Sequence, residues 1–436
     1  MSGNKEPEVK KEIEIIVDSS DDAGTMTTGE SVPVEMPPVE PEPAPIPENV
    51  LPKECKPVER VPVPNPMCEL EYSFDLADRI SDEVISVLAC DDVGDLFYDG
   101  EAKALKGTPN TSRNYWMEIE LPDKVLRLEC YINNNPRLLW NDIPSDQKVK
   151  PDKDYNAILS PELDIVGVSH RGRMHANRGT YRDDDFFIDK VGEFTLSIVA
   201  DGAGSAPLSS TGSKVLCEEA GAYYAKLVES KQDTLLTLLK GQQQPGNLMG
   251  DSKLMACLYE IFPSVAFYGK KLLSKLSDNN NIPLKHYHTT ALISMTAKIA
   301  SDRYFCAAFQ IGDGITVALT DQHLELLGKG DSGNFPGETV FITSSGVFDN
   351  ATELLQRIHC YLTREKLTVI SMTDGITDSY FKNCPNLNNL KRWQQLITDV
   401  TDANGVLKPA AEICDWLNYY VDQEHDDRTM SIVMYK

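Results

Sequence analysis

Basic side chains are scarce in this 436-residue chain, where 42 Lys and Arg stand against 67 Asp and Glu for a formal charge of -25. Such a balance excludes non-specific binding to nucleic-acid backbones, which requires a Lys/Arg surplus. Long apolar runs are missing as well. No stretch approaches the ~18 apolar residues of a membrane span, and the opening MSGNKEPEVKKEIEI has no apolar core of a secretory leader. The ten cysteines form no CxxC pair and have no histidine at zinc-binding spacing. Neither a zinc site nor a disulfide framework is therefore expected. Together these absences predict a soluble, cytoplasmic protein with reduced thiols and no nucleic-acid or membrane partner.

What is present changes character along the chain. Residues 1–66 hold half of the 26 prolines and a marked acidic excess, a composition that cannot bury enough apolar surface to offset its ordering entropy. A disordered tail is expected, stiff and extended from Pro33 to Pro66. It carries an apolar island, Ile13, Ile15, Ile16 and Val17 before Asp18, which reads either as a chance cluster in a disordered tail or as a strand to be added to a partner's sheet. From Cys68 to Leu76, and again from Tyr115 to Leu121, apolar and polar residues alternate as in half-buried strands. They predict a small all-β domain over 67–132, whose GDLFYDG…LKGTPNTSRNY text resembles immunoglobulin-like repeats. Residues 133–157 read as a linker. Over 158–436, strands such as Phe194–Ala200, Val340–Thr343 and Leu367–Met372 alternate with helices such as Ser213–Ser230 and Ala410–Val421. Tyr304–Ile311 and Ile315–Leu319 read as a hairpin turning at Gly312-Asp313-Gly314.

Four aspartates sit at the edges of apolar strand-like runs: Asp201 in IVADGAG, Asp313 in QIGDG, Asp374 in SMTDGITD and Asp426 in EHDDRT. Aspartate is a poor strand former, so each position wants a reason, whether a turn or a ligand. Three are followed by Gly, which lets the backbone turn sharply and approach a ligand closely. Carboxylates converging on one point need a cation to offset their repulsion, or must take up protons. No His or Cys accompanies them, so Mg²⁺ or Mn²⁺ fits better than zinc or copper. Two such ions about 3.5–4 Å apart share a hydroxide and deliver it in line to phosphorus. Phosphate-ester hydrolysis is the reaction class this predicts.

The order of these motifs resembles the metal-dependent type 2C protein serine/threonine phosphatases, in particular their divergent bacterial branch. The resemblance runs from about residue 158 to 436. It rests on GVSHRGRMHANRGTYRDDDFF, then Asp201-Gly202, Thr289-Thr290-Ala291, Gly312-Asp313, Thr373-Asp374-Gly375 and Asp426-Asp427-Arg428-Thr429. It implies a four-layer α-β-β-α sandwich and an α+β chain overall. It also implies two or three Mn²⁺ or Mg²⁺ ions held by Asp201, the Gly202 carbonyl, Asp374 and Asp426, with Asp313 at a further position. In the first block, Asp184 and Asp185 match the family's acidic pair, Asp185 acting through water, and a one-residue shift to Asp183 also fits. Arg182 and Arg178 are candidates for the phosphate-binding Arg, with His175 nearby. Ala203 stands where many members have a candidate general acid His. The resemblance implies a phosphoprotein phosphatase acting on phosphoserine or phosphothreonine in a signalling pathway opposite a Ser/Thr kinase. The alternative is a pseudophosphatase that binds phosphoproteins as an adaptor, or through a partner of the tail or β domain.

Overall fold

The computed structural model describes residues 56–80, 83–90, 95–328, 330, 339–382 and 384–436. The apolar island and most of the proline-rich tail lie outside these residues. Contacts divide the chain into Met1–Val58 and Glu59–Lys436. Among the described residues no helix is long and apolar enough to cross a membrane, and the cysteines whose side chains are described are free thiols.

The first part is all β. Its strands are β1 (Val58–Pro62), β2 (Tyr72–Asp75), β3 (Ser86–Ala89), β4 (Leu96–Asp99), β5 (Ala104–Gly107), β6 (Arg113–Glu120) and β7 (Val125–Ile132). They form two sheets, ordered β1-β7-β6-β3 and β2-β5-β4, around one core that includes Leu105, Tyr115, Met117, Ile119 and Leu126. The alternation in β6 is as expected: Tyr115, Met117 and Ile119 point inward, while Arg127 stacks over the outward Trp116 ring. The boundary differs from the expectation. Residues 58–62 fall in the predicted tail, yet they form β1 and bury Val61. Pro62 is accommodated because β1 is an edge strand, where no ladder hydrogen bond from the missing N–H is needed.

The second part begins inside the predicted linker, with β8 (Lys153–Leu159) and β9 (Leu163–His170). A short helix α1 (Arg173–Arg178), β10 (Asp185–Val191) and β11 (Phe194–Ala200) follow. Next come α2 (Ser209–Val215), α3 (Gly221–Gly241), β12 (Gly246–Asn247) and α4 (Ser252–Asn280), the last capped by Asp251, which accepts from the Lys253 and Leu254 amides. The remaining strands are β13 (Ala291–Ala300), β14 (Arg303–Ile311), β15 (Ile315–Leu319), β16 (Leu324–Leu326), β17 (Ile358–Thr363), β18 (Thr368–Met372) and β19 (Arg428–Tyr435). They make two six-stranded sheets, ordered β10-β11-β13-β14-β17-β12 and β16-β15-β18-β19-β9-β8.

Three apolar clusters account for the arrangement. Phe194, Leu196 and Ile198 of β11 pack with Leu216, Tyr224 and Phe262 of the helical stretch. Ile370, Met372 and Ile432 of the other sheet pack with Trp393, Leu396 and Ile413 of helices Leu390–Val400 and Ala410–Trp416. A third cluster, with Ile165, Ile188, Cys306, Val369 and Val433, draws residues from both sheets. The seam between the sheets is also lined with hydroxyls: Ser197 Oγ pairs with Ser294 Oγ at 2.7 Å and accepts from Ser431 Oγ at 3.1 Å, and Ser169 Oγ meets Thr429 Oγ1 at 2.6 Å. Each buried hydroxyl in these pairs finds its partner in the seam.

Two sequence expectations fail here. Val340–Thr343 is a loop, fixed by the Ile342 amide bonding Thr289 O at 3.0 Å and by burial of Ile342 under the helices. Residues 304–319 are not a hairpin. β14 pairs with β13 and β17, whereas β15 pairs with β16 and β18 in the other sheet. The chain crosses between sheets at Gly312-Asp313-Gly314, with Gly312 at φ +116°, a conformation that side-chain-bearing residues rarely adopt. Gln310 Nε2 secures the crossing by donating to Gly312 O at 3.0 Å and Gly314 O at 2.6 Å.

Candidate metal centre

The carboxylates gather at one end of the seam because of strand parity. In β11, Phe194, Leu196, Ile198 and Ala200 belong to the helix-facing cluster, so Asp201 falls in phase with the inward Ser197. Its backbone is pinned: the Asp201 amide donates to Thr290 Oγ1 at 2.8 Å, and the Thr290 amide donates to Asp201 O at 2.7 Å. Gly202 is required there, since a Cβ would stand 2.6 Å from Asp183 O. Asp374 follows β18 from the opposite sheet and opens a helical stretch that continues to Phe381. Asp313 arrives by the sheet-to-sheet crossing. Asp201, Asp313 and Asp374 each bring a carboxylate oxygen within 4.8 Å of the others.

Asp184 lies beside this trio, while Asp426 forms a second group with His175 and Asp427, each offering a ligand atom within 4.8 Å of the others, so one histidine does accompany these acids. Thr373 Oγ1 donates to Asp184 Oδ2 at 2.8 Å, which places that carboxylate beside Asp374. Burial, then the charges of Asp427, Asp426 and Asp374, push the Asp184 carboxyl well above its usual range. Burial followed by Asp374, Asp184, Asp426 and Asp313 does the same to Asp201. Asp374 is pushed up to about 7 by burial, then by Asp313 and Asp426. Asp426, the most exposed of the set, is also raised, by burial and by Asp427. The charges that act most strongly on Asp201 are all carboxylates. This is the donor set of a hard divalent cation. Asp313 Oδ1, buried and without a hydrogen-bond partner, supports the fit.

Asp185 and Arg182 stand elsewhere. Asp185 is next in phase, with its carboxylate 3.2 Å from Lys150 Nζ and 3.3 Å from Arg182 Nη1. Burial raises its carboxyl, but those two cations outweigh burial and leave it lowered. Asp184, not Asp185, is the acid of this pair in the cluster. Arg182 is fully buried and engaged with Asp154, Ser169 Oγ and the carbonyls of Asp184 and Pro151. No part of it is available to clamp a phosphate. Asp427 is occupied too, accepting from the amides of Gly172 and Asp183. Arg178 is exposed at a cavity of about 460 Å³ that His175, Asp183 and Ser210 also line. His175 Nδ1 meets Thr180 Oγ1 at 2.9 Å, and its Nε2 lies 3.5 Å from Asp183 and 3.8 Å from Asp427. Ala203 offers no proton donor; its amide donates to His288 O.

The profile described as Protein phosphatase 2C matches residues 171–418. The chain belongs to the protein phosphatase 2C family. The matched region holds Asp184, Asp201, Asp313 and Asp374 and stops short of Asp426. Among solved structures, the chain is similar to RsbX in complex with magnesium, at 13% identity and TM-score 0.34 over 65% of this chain and 100% of that one. It is similar to a serine/threonine phosphatase of S. agalactiae, at 13% identity and TM-score 0.37 over 63% of this chain and 100% of that one. A phosphatase of Toxoplasma gondii is similar at 11% identity and TM-score 0.42, over 65% and 95%. No curated protein matches the sequence.

Within this phosphatase 2C domain the two neighbouring acids are expected to respond oppositely to amide substitution. Asp185→Asn breaks a buried ion pair and should destabilise the fold by about 3–5 kcal/mol, read by denaturant unfolding. Asp184→Asn relieves repulsion and should leave stability unchanged or higher while weakening Mn²⁺ binding in calorimetry. Equal loss of stability in both variants would contradict this assignment.

Proposed function

We propose that the protein is a metal-dependent serine/threonine phosphatase that hydrolyses phosphoserine and phosphothreonine in proteins. The observation that carries this reading is the trio of Asp201, Asp313 and Asp374, whose carboxylate oxygens lie within 4.8 Å of one another, with Asp184 and Asp426 near enough to raise the Asp201 carboxyl further. Asp201, Asp374 and Asp426 would hold two Mn²⁺ or Mg²⁺ ions together with Asp184 and the Gly202 carbonyl, and Asp313 would serve a third. When bound, such ions supply Lewis-acid activation of water and of phosphoryl oxygens. Arg178 would meet a phosphate from the cavity that it lines with His175 and Asp183. The three apolar clusters support reading the catalytic part as an α-β-β-α sandwich, and the two small sheets support an immunoglobulin-like N-terminal domain. A cytoplasmic location, a kinase-opposed signalling role and a protein partner for the N-terminal region belong to the same proposal.

Ala203 favours a second reading, a pseudophosphatase that binds without turnover. Mutually repelling buried carboxylates weigh against it, because a binding module has no use for their cost. The test is hydrolysis of p-nitrophenyl phosphate and of a phosphothreonine peptide with Mn²⁺. Hydrolysis abolished by EDTA and restored by Mn²⁺ is expected. Turnover that persists in EDTA, or calorimetric Mn²⁺ binding with no turnover, would sink the catalytic reading.

A further inference from the structure

Residues 135–152 join the β domain to the catalytic part and lie outside the region matched by the family profile. They do not run free. A short turn, Pro136–Leu139, is capped by Asn135. The Asn141 amide then donates to Asn177 Oδ1 at 3.0 Å, and the Ile143 amide to Ala176 O at 3.0 Å, so this strap lies along α1. Trp140 packs against His425, one residue before Asp426, with ring centroids 4.4 Å apart and planes tilted by 55°. At its far end the strap delivers Lys150 beneath the acidic block.

Lys150 is 2% exposed. Its Nζ donates to Asp184 O at 2.9 Å and to Ser213 Oγ at 2.8 Å, and stands 3.2 Å from the Asp185 carboxylate. Ser213 Oγ in turn donates to Asp183 O. Two successive carbonyls of the acidic block are thus gripped from below, and the Asp185 carboxylate balances the ammonium. Burying an ammonium is costly, and this position is tolerable because every contact is polar and well placed. The grip acts on the peptide that carries Asp184, together with Arg182 Nη1, which donates to the same Asp184 O at 2.7 Å.

We propose that this strap is a positioning element of the metal centre, with Lys150, which shares the Asp184 carbonyl with Arg182 Nη1, helping to hold Asp184 turned into the cluster. The inference rests on the metal-site reading above. Thermodynamic reciprocity then requires that cation binding tighten the strap as much as the strap favours the cation.

The experiment uses the full chain and Mn²⁺ alone. In the parent, hydrogen exchange measured by mass spectrometry should slow on adding Mn²⁺ both in 183–202 and in 140–152, a segment with no cluster carboxylate. In Lys150→Met, calorimetric Mn²⁺ affinity should fall by about tenfold or more. In that variant kcat should recover at high Mn²⁺ with KM for p-nitrophenyl phosphate unchanged, a split that a merely structural role would not produce. Parent-like Mn²⁺ affinity in Lys150→Met overturns the inference. So does protection of 183–202 with unaltered exchange in the strap, which decides the matter even where the variant does not fold. A parent that binds no Mn²⁺ overturns the metal reading itself, and this inference with it.

Discussion

Asp201→Asn is expected to remove Mn²⁺-dependent hydrolysis while making the metal-free protein more stable. The two effects have one origin. Asp201 faces Asp374, Asp184, Asp426 and Asp313, so its charge serves a cation and repels its neighbours when none is bound. Loss of a central ligand should forfeit about 4 kcal/mol of transition-state stabilisation, on the order of 10³-fold in kcat. The amide is isosteric with the carboxylate and carries no charge. Metal-free stability should therefore rise by about 1 kcal/mol or more. The measurements are steady-state kinetics with Mn²⁺ and thermal unfolding in EDTA. An active variant, or one less stable than the parent in EDTA, would contradict the placement of Asp201.

The second large effect concerns pH. Asp374 is held at about 7 in the fold, and Asp184, Asp201 and Asp426 are also raised, against an ordinary aspartate value near ~3.9 in the unfolded chain. Between those values the folded state binds more protons than the unfolded one. Stability then changes with pH with a negative sign. Metal-free protein should lose stability as pH rises from about 5 to about 8, opposite to a protein whose carboxylates are salt-bridged. Asp185, lowered by Lys150 and Arg182, contributes in the other sense, but only at lower pH. Mn²⁺ should reverse the trend, since it competes with protons for the same oxygens, adding about 2.7 kcal/mol at a hundredfold excess over Kd. Thermal unfolding across this pH range, with EDTA and with Mn²⁺, checks both halves. A flat profile in EDTA would show that the carboxylates do not titrate together.

Much of this arrangement was legible in the sequence, because an aspartate next to glycine at the end of an apolar run is a local signal. Asp201 and Asp374 carry that signal, and their carboxylates come within 4.8 Å of each other; Asp426, at the start of its run and beside Asp427, carries only the weaker signal of an acid at a strand edge. The choice between Asp184 and Asp185 was open at the level of motifs, yet period-two reasoning carried further would have decided it. Phe186 and Ile188 pack into the inter-sheet cluster while Phe187 packs under the helices, and Asp184 shares the parity of the former. Asp313 was identified while its setting was misread, because a two-strand text with Gly-Asp-Gly between is the same whether the strands pair or part company. Arg182 looked available because its charge is visible in sequence and its burial is not. Lys150 gave no local signal at all; its role depends on contacts with residues 34 and 63 positions away.

The site is supplied from both sides of the seam. Asp184 and Asp201 flank strands of one sheet, Asp374 and Asp426 flank strands of the other, and Asp313 lies on the chain that passes between them. A cation shared by these groups is therefore a rivet through two plates. Any shear of one sheet over the other would part these carboxylates, so a bound cation would oppose it. Chelation should loosen the whole catalytic part, well beyond the loops that carry the carboxylates.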